Sequence, residues 1–227
     1  MKLTVTTFLT LDGVMQGPGG PEEDTSNGFD QGGWMVPFID QDFGEIVEAW
    51  FARADEFLLG RTTYDMMYPY WSQLIVTNPD EAGVTGQQLN TLPKHIVSQT
   101  LRSPQWANSS VVDGDVVEAV KALKDKPGGE LQVHGSAGLV QTLNQHNLVD
   151  EYRLLLVPVV LGTGKRLFGD GAVPTAFKTV QNRTTSTGVV ALTRSPAARG
   201  GQGRDRTADL AVFSRVQRIQ SRPARFT

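Results

Sequence analysis

Apolar residues recur along this chain with two different periods, and the switches between them mark out alternating strands and helices. Residues 2–11, KLTVTTFLTL, alternate polar with apolar side chains and read as a first strand. DGVMQGPGGPEEDTSNGFDQGGW follows as a Gly/Pro/acid loop, of a length that is usually functional or mobile. In IDQDFGEIVEAWFARA, Phe43, Ile46, Val47, Trp50 and Phe51 fall at helical spacing; EFLLG is a strand, and a short helix starts at Thr62. Residues 72–93 read as loop with at most one helical turn. HIVS and SSVVDG read as strands, and DVVEAVKALKDK as an amphipathic helix capped by Asp115 and stopped by Pro127-Gly128-Gly129. ELQVHG is a strand, SAGLVQTLNQHN a helix, and EYRLLLVPVVLG a long apolar strand of the kind buried on both faces. A last strand pair, 177–184 and 187–193, turns at Thr187-Gly188.

This alternation predicts an α/β fold with a mainly parallel central sheet, helices on both faces and a C-terminal antiparallel hairpin. Ligands of such sheets sit at the carboxyl ends of the strands. The unusual polar elements fall there: Asp12-Gly13 after the first strand, Gly60-Arg61-Thr62-Thr63 after the second, Ser98-Gln99-Thr100 after the third and Gly135-Ser136-Ala137-Gly138 after the fifth. GRTT and GSAG open helices directly, so their free backbone N–H groups and positive helix ends suit a pyrophosphate. Glycine at 60 and 135 lets an anion approach the backbone, and Arg61 adds charge-assisted hydrogen bonds. Taken singly, each motif is equally a plain N-cap, Thr62 or Ser136, beside a tight glycine turn. Jointly they point to a dinucleotide.

Composition narrows the chemistry. At 227 residues the chain suits one substantial domain, and the absence of cysteine removes disulfides, thiolate catalysis and thiolate zinc sites. It also fits a reducing, cytoplasmic setting. The N-terminus lacks the unbroken apolar core of a signal peptide, and no stretch approaches the roughly 18 apolar residues of a membrane span. The formal charge of −3 hides an asymmetry: residues 194–227 hold eight arginines and two acids, leaving 13 basic and 22 acidic residues in 1–193. The domain is therefore expected to span 1–193, with 194–227 either a basic arm for nucleic acid or a disordered or accidental extension. The acidic body favours the extension, and no nucleic-acid partner is expected. No G-x-G-x-x-G follows the first strand, and GTGKRL is not a P-loop, because Val159 stands where Gly is needed and Arg166 where Ser or Thr would hold Mg²⁺. His95, His134 and His146 are scattered, so no metal site is expected, and His134 reads as a core histidine.

TLDGVMQGPGG (10–20), LLGRTTYDMM (58–67), HIVSQTL (95–101), LQVHGSAGLVQTLNQHNLVDEYRLLLVPVVLGTGKRLF (131–168) and TGVVALT (187–193) together resemble the dihydrofolate reductase-like superfamily. Within it, the pattern is most similar to the reductase domain at the C-terminus of the bifunctional riboflavin-biosynthesis deaminase-reductase, in stand-alone form. The resemblance implies a three-layer fold, NADPH as cofactor, and reduction of a small heterocyclic substrate, pterin- or ribosylaminopyrimidine-like. It implies that Gly60, Arg61, Thr62 and Thr63 form a phosphate-binding turn, and that Ser98, Gln99 and Thr100 hold the adenosine ribose and its 2′-phosphate. Gly135, Ser136, Ala137 and Gly138 match the turn under the diphosphate and nicotinamide; Thr7, Phe8 and Met15 match residues lining the nicotinamide. For the proton donor, Asp12 matches a Leu-Asp-Gly of the riboflavin branch, while Glu45 and Glu48 lie on the helix that carries the pterin-binding acid in dihydrofolate reductases. Asp12 reads equally as a turn residue, and the glutamates as a solvated face. Trp34 and Trp50 are candidates to stack on a flat heterocycle or to fill the core. A homodimer is expected from the apolar run RLLLVPVVLG and from relatives. A non-catalytic nucleotide-binding protein that kept the fold is the alternative.

Overall fold

Six parallel strands form most of the sheet in the computed structural model, which describes residues 1–169 and 172–197. They are β1 (Lys2–Leu9), β2 (Ala54–Gly60), β3 (Lys94–Val97), β4 (Ser109–Val111), β5 (Glu130–Val133) and β6 (Glu151–Leu156). β7 (Phe177–Thr184) and β8 (Val190–Pro196) form a hairpin whose second strand pairs antiparallel with β6. The order across the sheet is β4-β3-β2-β5-β1-β6-β8-β7. Five helices cover it: α1 (Gln41–Phe51), α2 (Arg61–Thr77), α3 (Pro79–Thr91), α4 (Val116–Asp125) and α5 (Ala137–Gln145). None of the described helices is long and apolar enough to cross a membrane.

The three layers follow from strand alternation, since successive side chains point to opposite faces. Leu3, Val5, Leu131 and Val133 face α4 and α5, where Val120, Leu123, Val140 and Leu143 complete one core. On the other face, Phe43 and Ile46 of α1 join Leu155 and Ala191, and Tyr64, Met67 and Leu89 of α2 and α3 join Phe57, Leu59 and Ile96. Asp115 caps α4 as expected, accepting from the Glu118 N–H at 3.0 Å. Asp40 caps α1 through the Phe43 N–H at 2.7 Å and also accepts from Ser186 Oγ at the same distance, which pins the hairpin turn to the helix.

One stretch departs from the sequence reading. Residues 72–93, expected as loop, continue α2 to Thr77 and then form α3. Pro79 is a poor helix former, but it sits in the first turn of α3, where its missing N–H costs nothing. Gly83 takes φ +55° at a kink between the two halves of α3, and burial of Ala82 and Leu89 overrides the poor local propensity. β6 is also shorter than expected, six residues, and lies between β1 and β8.

The centre of the α1-facing side is polar. Arg153, fully buried, donates to Glu130 at 2.6 Å and to Glu151 at 3.1 Å, so this buried charge is doubly paired. Removing one partner of such a buried pair typically costs about 3–5 kcal/mol. His134 belongs to this layer: its ring stacks on Phe51 at 4.2 Å and Nε2 contacts Gln132 Oε1 at 3.0 Å. Burial, reinforced by the Arg153 charge, pushes its pKa down to about 3, so it stays neutral as a core histidine.

Candidate cofactor-binding site

β3, β2, β5 and β1 are consecutive neighbours and all parallel, so their carboxyl ends share one edge of the sheet. The three segments 60–63, 98–100 and 135–138 are thereby brought together with the loop that follows β1. Gly60 is the N-cap of α2 and Ser136 that of α5, and neither helix is capped by a side chain. Thr62 is therefore not an N-cap, Ser136 holds the N-cap position of α5 without a side-chain hydrogen bond, and the first-turn N–H groups of both helices are left for solvent or a ligand. A cleft of about 210 Å³ opens between them, lined by Gly60, Arg61, Val97, Ser136, Gly138 and Thr142.

The glycines of these turns have separate roles. A Cβ on Gly60 would lie 1.7 Å from Ser136 Oγ and 3.1 Å from Ser136 Cβ, so the two turns touch there and a larger residue would force the serine side chain aside. Gly135 has φ +71°, which favours glycine on backbone grounds, and a Cβ there would meet Thr63 Oγ1 at 3.3 Å and Met15 Cε at 4.0 Å. The Gly135–Ser136 peptide is cis. At Gly138 a Cβ would meet nothing within 4 Å, so this is the glycine whose missing side chain leaves space in the cleft.

Arg61 reaches toward β3 rather than toward the 135–138 turn. Its Nε donates to both oxygens of Asp65, at 2.8 and 2.7 Å, and Nη1 donates to Thr100 Oγ1 at 3.2 Å. Ser98 Oγ accepts from the N–H groups of Thr100 and Leu101, at 3.2 and 3.0 Å, and so folds the end of β3 into a turn. Gln99 and Thr100 are exposed beside it, and Arg102 is exposed further on. The hydroxyls after β3 and the arginine after β2 thus form one group.

The β1 side matches the expectations less well. Met15 is buried and adjoins Gly135, whereas Phe8 stacks on Phe43 at 5.6 Å in the α1 layer and Thr7 is buried. Asp12 accepts from Thr10 Oγ1 at 2.6 Å, from the Leu161 and Gly162 N–H groups at 3.3 and 2.8 Å, and from Arg166 Nη2 at 3.4 Å. The Thr10 bond above all, with those backbone donors, lowers its pKa to about 2 against the desolvation that opposes it. With these bonds Asp12 ties the turn after β1 to residues 161–166. Glu45 is exposed and faces Arg183 at 3.5 Å, and exposed Glu48 lies against Gly83 of α3; neither is enclosed as a proton donor needs to be. Trp34 is buried with Val14, Phe29 and Phe43, its Nε1 donating to the Gln16 carbonyl at 2.8 Å, so its ring is core. Trp50 is half-buried against the same cluster, and its carbonyl accepts from Gln132 at 2.7 Å.

Four cleft residues, Val97, Val116, Leu139 and Thr142, were missed from the sequence, with different prospects. Thr142 lies one helical turn after Gly138 and donates back to its carbonyl at 3.1 Å, so i,i+4 spacing from the GSAG turn would have found it. Val116 lines the cleft from the start of α4, and nothing local marks it.

Comparison with known proteins bears on the fold and the family. The protein YyaP of Bacillus subtilis (strain 168) is 31% identical over 185 residues, covering 80% of this chain and 88% of that protein. Among solved structures, a candidate riboflavin biosynthesis protein of Shewanella sp. PV-4 superposes with a TM-score of 0.61 at 20% identity, over 87% of this chain and 99% of that one. Dihydrofolate reductase of Enterococcus faecalis, complexed with NADP(H), gives 0.54 at 14% identity, over 86% and 96% of the two chains. At such identities these structures establish the dihydrofolate reductase-like fold alone. Residues 1–191 match the RibD C-terminal domain, almost the whole extent of the sheet and its helices, and the chain belongs to that family.

Proposed function

We propose that the protein is an NADPH-dependent reductase of a small heterocyclic substrate, pterin- or ribosylaminopyrimidine-like. The observation that carries this reading is the convergence of two uncapped helix N-termini, those of α2 and α5, on one cleft with Arg61 and Thr100 at its side. The residues fit a dinucleotide: open N–H groups and positive helix ends for the diphosphate, space at Gly138, and hydroxyls with an arginine for a 2′-phosphate. NADPH would supply the hydride. The chain's own part is to hold the diphosphate between α2 and α5 and to set the nicotinamide near Met15 and Gly135. With Asp12 ionised and Glu45 and Glu48 exposed, the proton comes from solvent water. Calorimetric titration with NADPH and NADH, followed by the decay of NADPH absorbance with pterin and aminopyrimidine substrates, tests it; absence of NADPH binding overturns it.

A second reading, a nucleotide-binding protein without catalysis, is favoured by that same engagement of Asp12. It predicts NADPH binding with no oxidation by any such substrate.

A homodimer belongs to the proposal, with a changed rationale. β6 is enclosed by β1 and β8, so it offers no free strand edge. Leu11 and Val160, 62% and 67% exposed beside its carboxyl end, favour an apolar contact there. A light-scattering mass near the 24.7 kDa of one chain at micromolar concentration overturns it.

A further inference from the structure

Arg61 stands in a position that helix energetics disfavour. It is the first residue of α2, where the helix end is positive, and the first turn contains no acid to balance it. Its partner Asp65 is one turn later, the less favourable order for an i,i+4 pair, and both side chains are exposed, at 40% and 49%. Such a pair adds little to folding. Its geometry is nevertheless specific: both Asp65 oxygens accept from Nε alone, and Nη1 is carried across to Thr100 on the neighbouring strand end. The remaining N–H donors of the guanidinium fork are left unengaged beside the cleft that Arg61 lines.

We infer that Asp65 is a positioning residue that sets cofactor choice: it holds Arg61 against Thr100 so that the free side of the guanidinium meets a 2′-phosphate. The inference rests on the NADPH reading above. Asp65 does not touch the cofactor. It removes the rotamer freedom that a half-exposed arginine would otherwise lose on binding, which is the usual gain from preorganisation. Because its role is to accept a hydrogen bond, an amide oxygen at the same place serves nearly as well, and the loss of its charge also removes a repulsion toward the phosphate.

The test is titration of the full chain with NADPH, NADH, 2′,5′-ADP and 5′-AMP. Asp65→Ala is expected to weaken NADPH and 2′,5′-ADP on the order of fivefold. NADH and 5′-AMP should stay within about twofold of the parent, a difference too small to reflect a lost contact. Asp65→Asn should bind NADPH as well as the parent or better. In an Arg61→Ala background, Asp65→Ala should no longer weaken NADPH binding. Tighter NADPH binding by Asp65→Ala would make Asp65 an electrostatic brake and overturn the inference, as would equal losses for the phosphorylated and unphosphorylated ligands. If Asp65→Asn loses as much as Asp65→Ala, the inference is also wrong, because charge rather than position matters. Failure of the underlying reading shows separately, as a parent protein that binds neither dinucleotide.

Discussion

Along the carboxyl edge of the sheet, the side built on β2, β3 and β5 keeps donors unengaged, while the side built on β1 and the segment after β6 binds its polar groups to one another. On the first side no side chain caps α2 or α5, and Gln99 and Thr100 are exposed. On the second, Asp12 holds Thr10, Leu161, Gly162 and Arg166. Nearby, Gln16 donates to the Asp24 and Ser26 carbonyls and accepts from the Lys165 N–H, while Lys165 Nζ reaches Asp24 at 2.7 Å. Both sides carry the charged and hydroxylic residues that a sequence reader picks out. A group already satisfied by its own chain fixes loop geometry, and a group left open awaits something else.

The two sides should therefore respond to different substitutions, and the largest contrast lies within the open side itself. Gly138→Val adds bulk to the cleft at a position where a Cβ meets no protein atom within 4 Å, so NADPH binding is expected to fall by about 2–3 kcal/mol, on the order of a hundredfold. Stability should hold or rise by a few tenths, up to ~1 kcal/mol, because an early-helix glycine is being replaced. Gly60→Ala should do the reverse in stability, since its Cβ would land on Ser136 Oγ; a loss of about 1–3 kcal/mol is expected from the forced shift. Calorimetry and thermal unfolding on the same samples separate the two. Parent-like NADPH affinity in Gly138→Val would place the cofactor elsewhere.

Arg61→Ala comes next. NADPH should weaken by about 1.5–3 kcal/mol, the scale of a hydrogen bond to a charged group, with NADH less affected. The fold should change by no more than ~0.5 kcal/mol, because the Arg61–Asp65 pair is exposed. The opposite pattern, lower melting temperature with an unchanged dissociation constant, would reduce GRTT to a helix opening and erase the difference between the two sides.

How much of this was legible depended on whether the information is local. The glycine turns and the helix openings at 60–63 and 136–138 read correctly because backbone geometry selects their residue types within a few positions. α3 did not, because Asn78, Pro79 and Gly83 signal a break that only the packing of Ala82 and Leu89 overrules. The direction of Arg61 was also out of reach: its partners, Asp65 and Thr100, lie one helical turn and one strand away. Asp12 misled for a related reason. Its sequence neighbours show a turn and include Thr10, whose hydroxyl does most to lower its pKa, but the backbone donors of Leu161 and Gly162, which add to that effect, arrive from the other end of the chain. The expected Arg-rich extension from 194 begins within β8, which runs to Pro196; the rest of it, from 198, lies outside the described residues.

Asp12→Asn tests the satisfied side, with the smallest expected effect. In the folded protein the carboxyl titrates at about 2, below its ordinary 3.8, so the ionised group adds stability above about pH 4 that fades as the pH falls through about 2. Replacing it with a neutral amide keeps one acceptor and loses the other, along with the charge facing Arg166. A full pKa unit corresponds to about 1.4 kcal/mol, and solvent screening of this surface turn reduces what the shift alone would suggest, so a loss of about 1 kcal/mol at pH 7 is expected. Parent and variant should converge in stability near pH 2, where the parent's carboxyl is itself half protonated. NADPH affinity should not change, because no cleft residue depends on Asp12, and any reductase turnover should keep its pH profile. A variant as stable as the parent at neutral pH, yet unable to oxidise NADPH with a substrate the parent accepts, would return Asp12 to the chemistry and show that a fully bonded carboxylate can still serve at this edge.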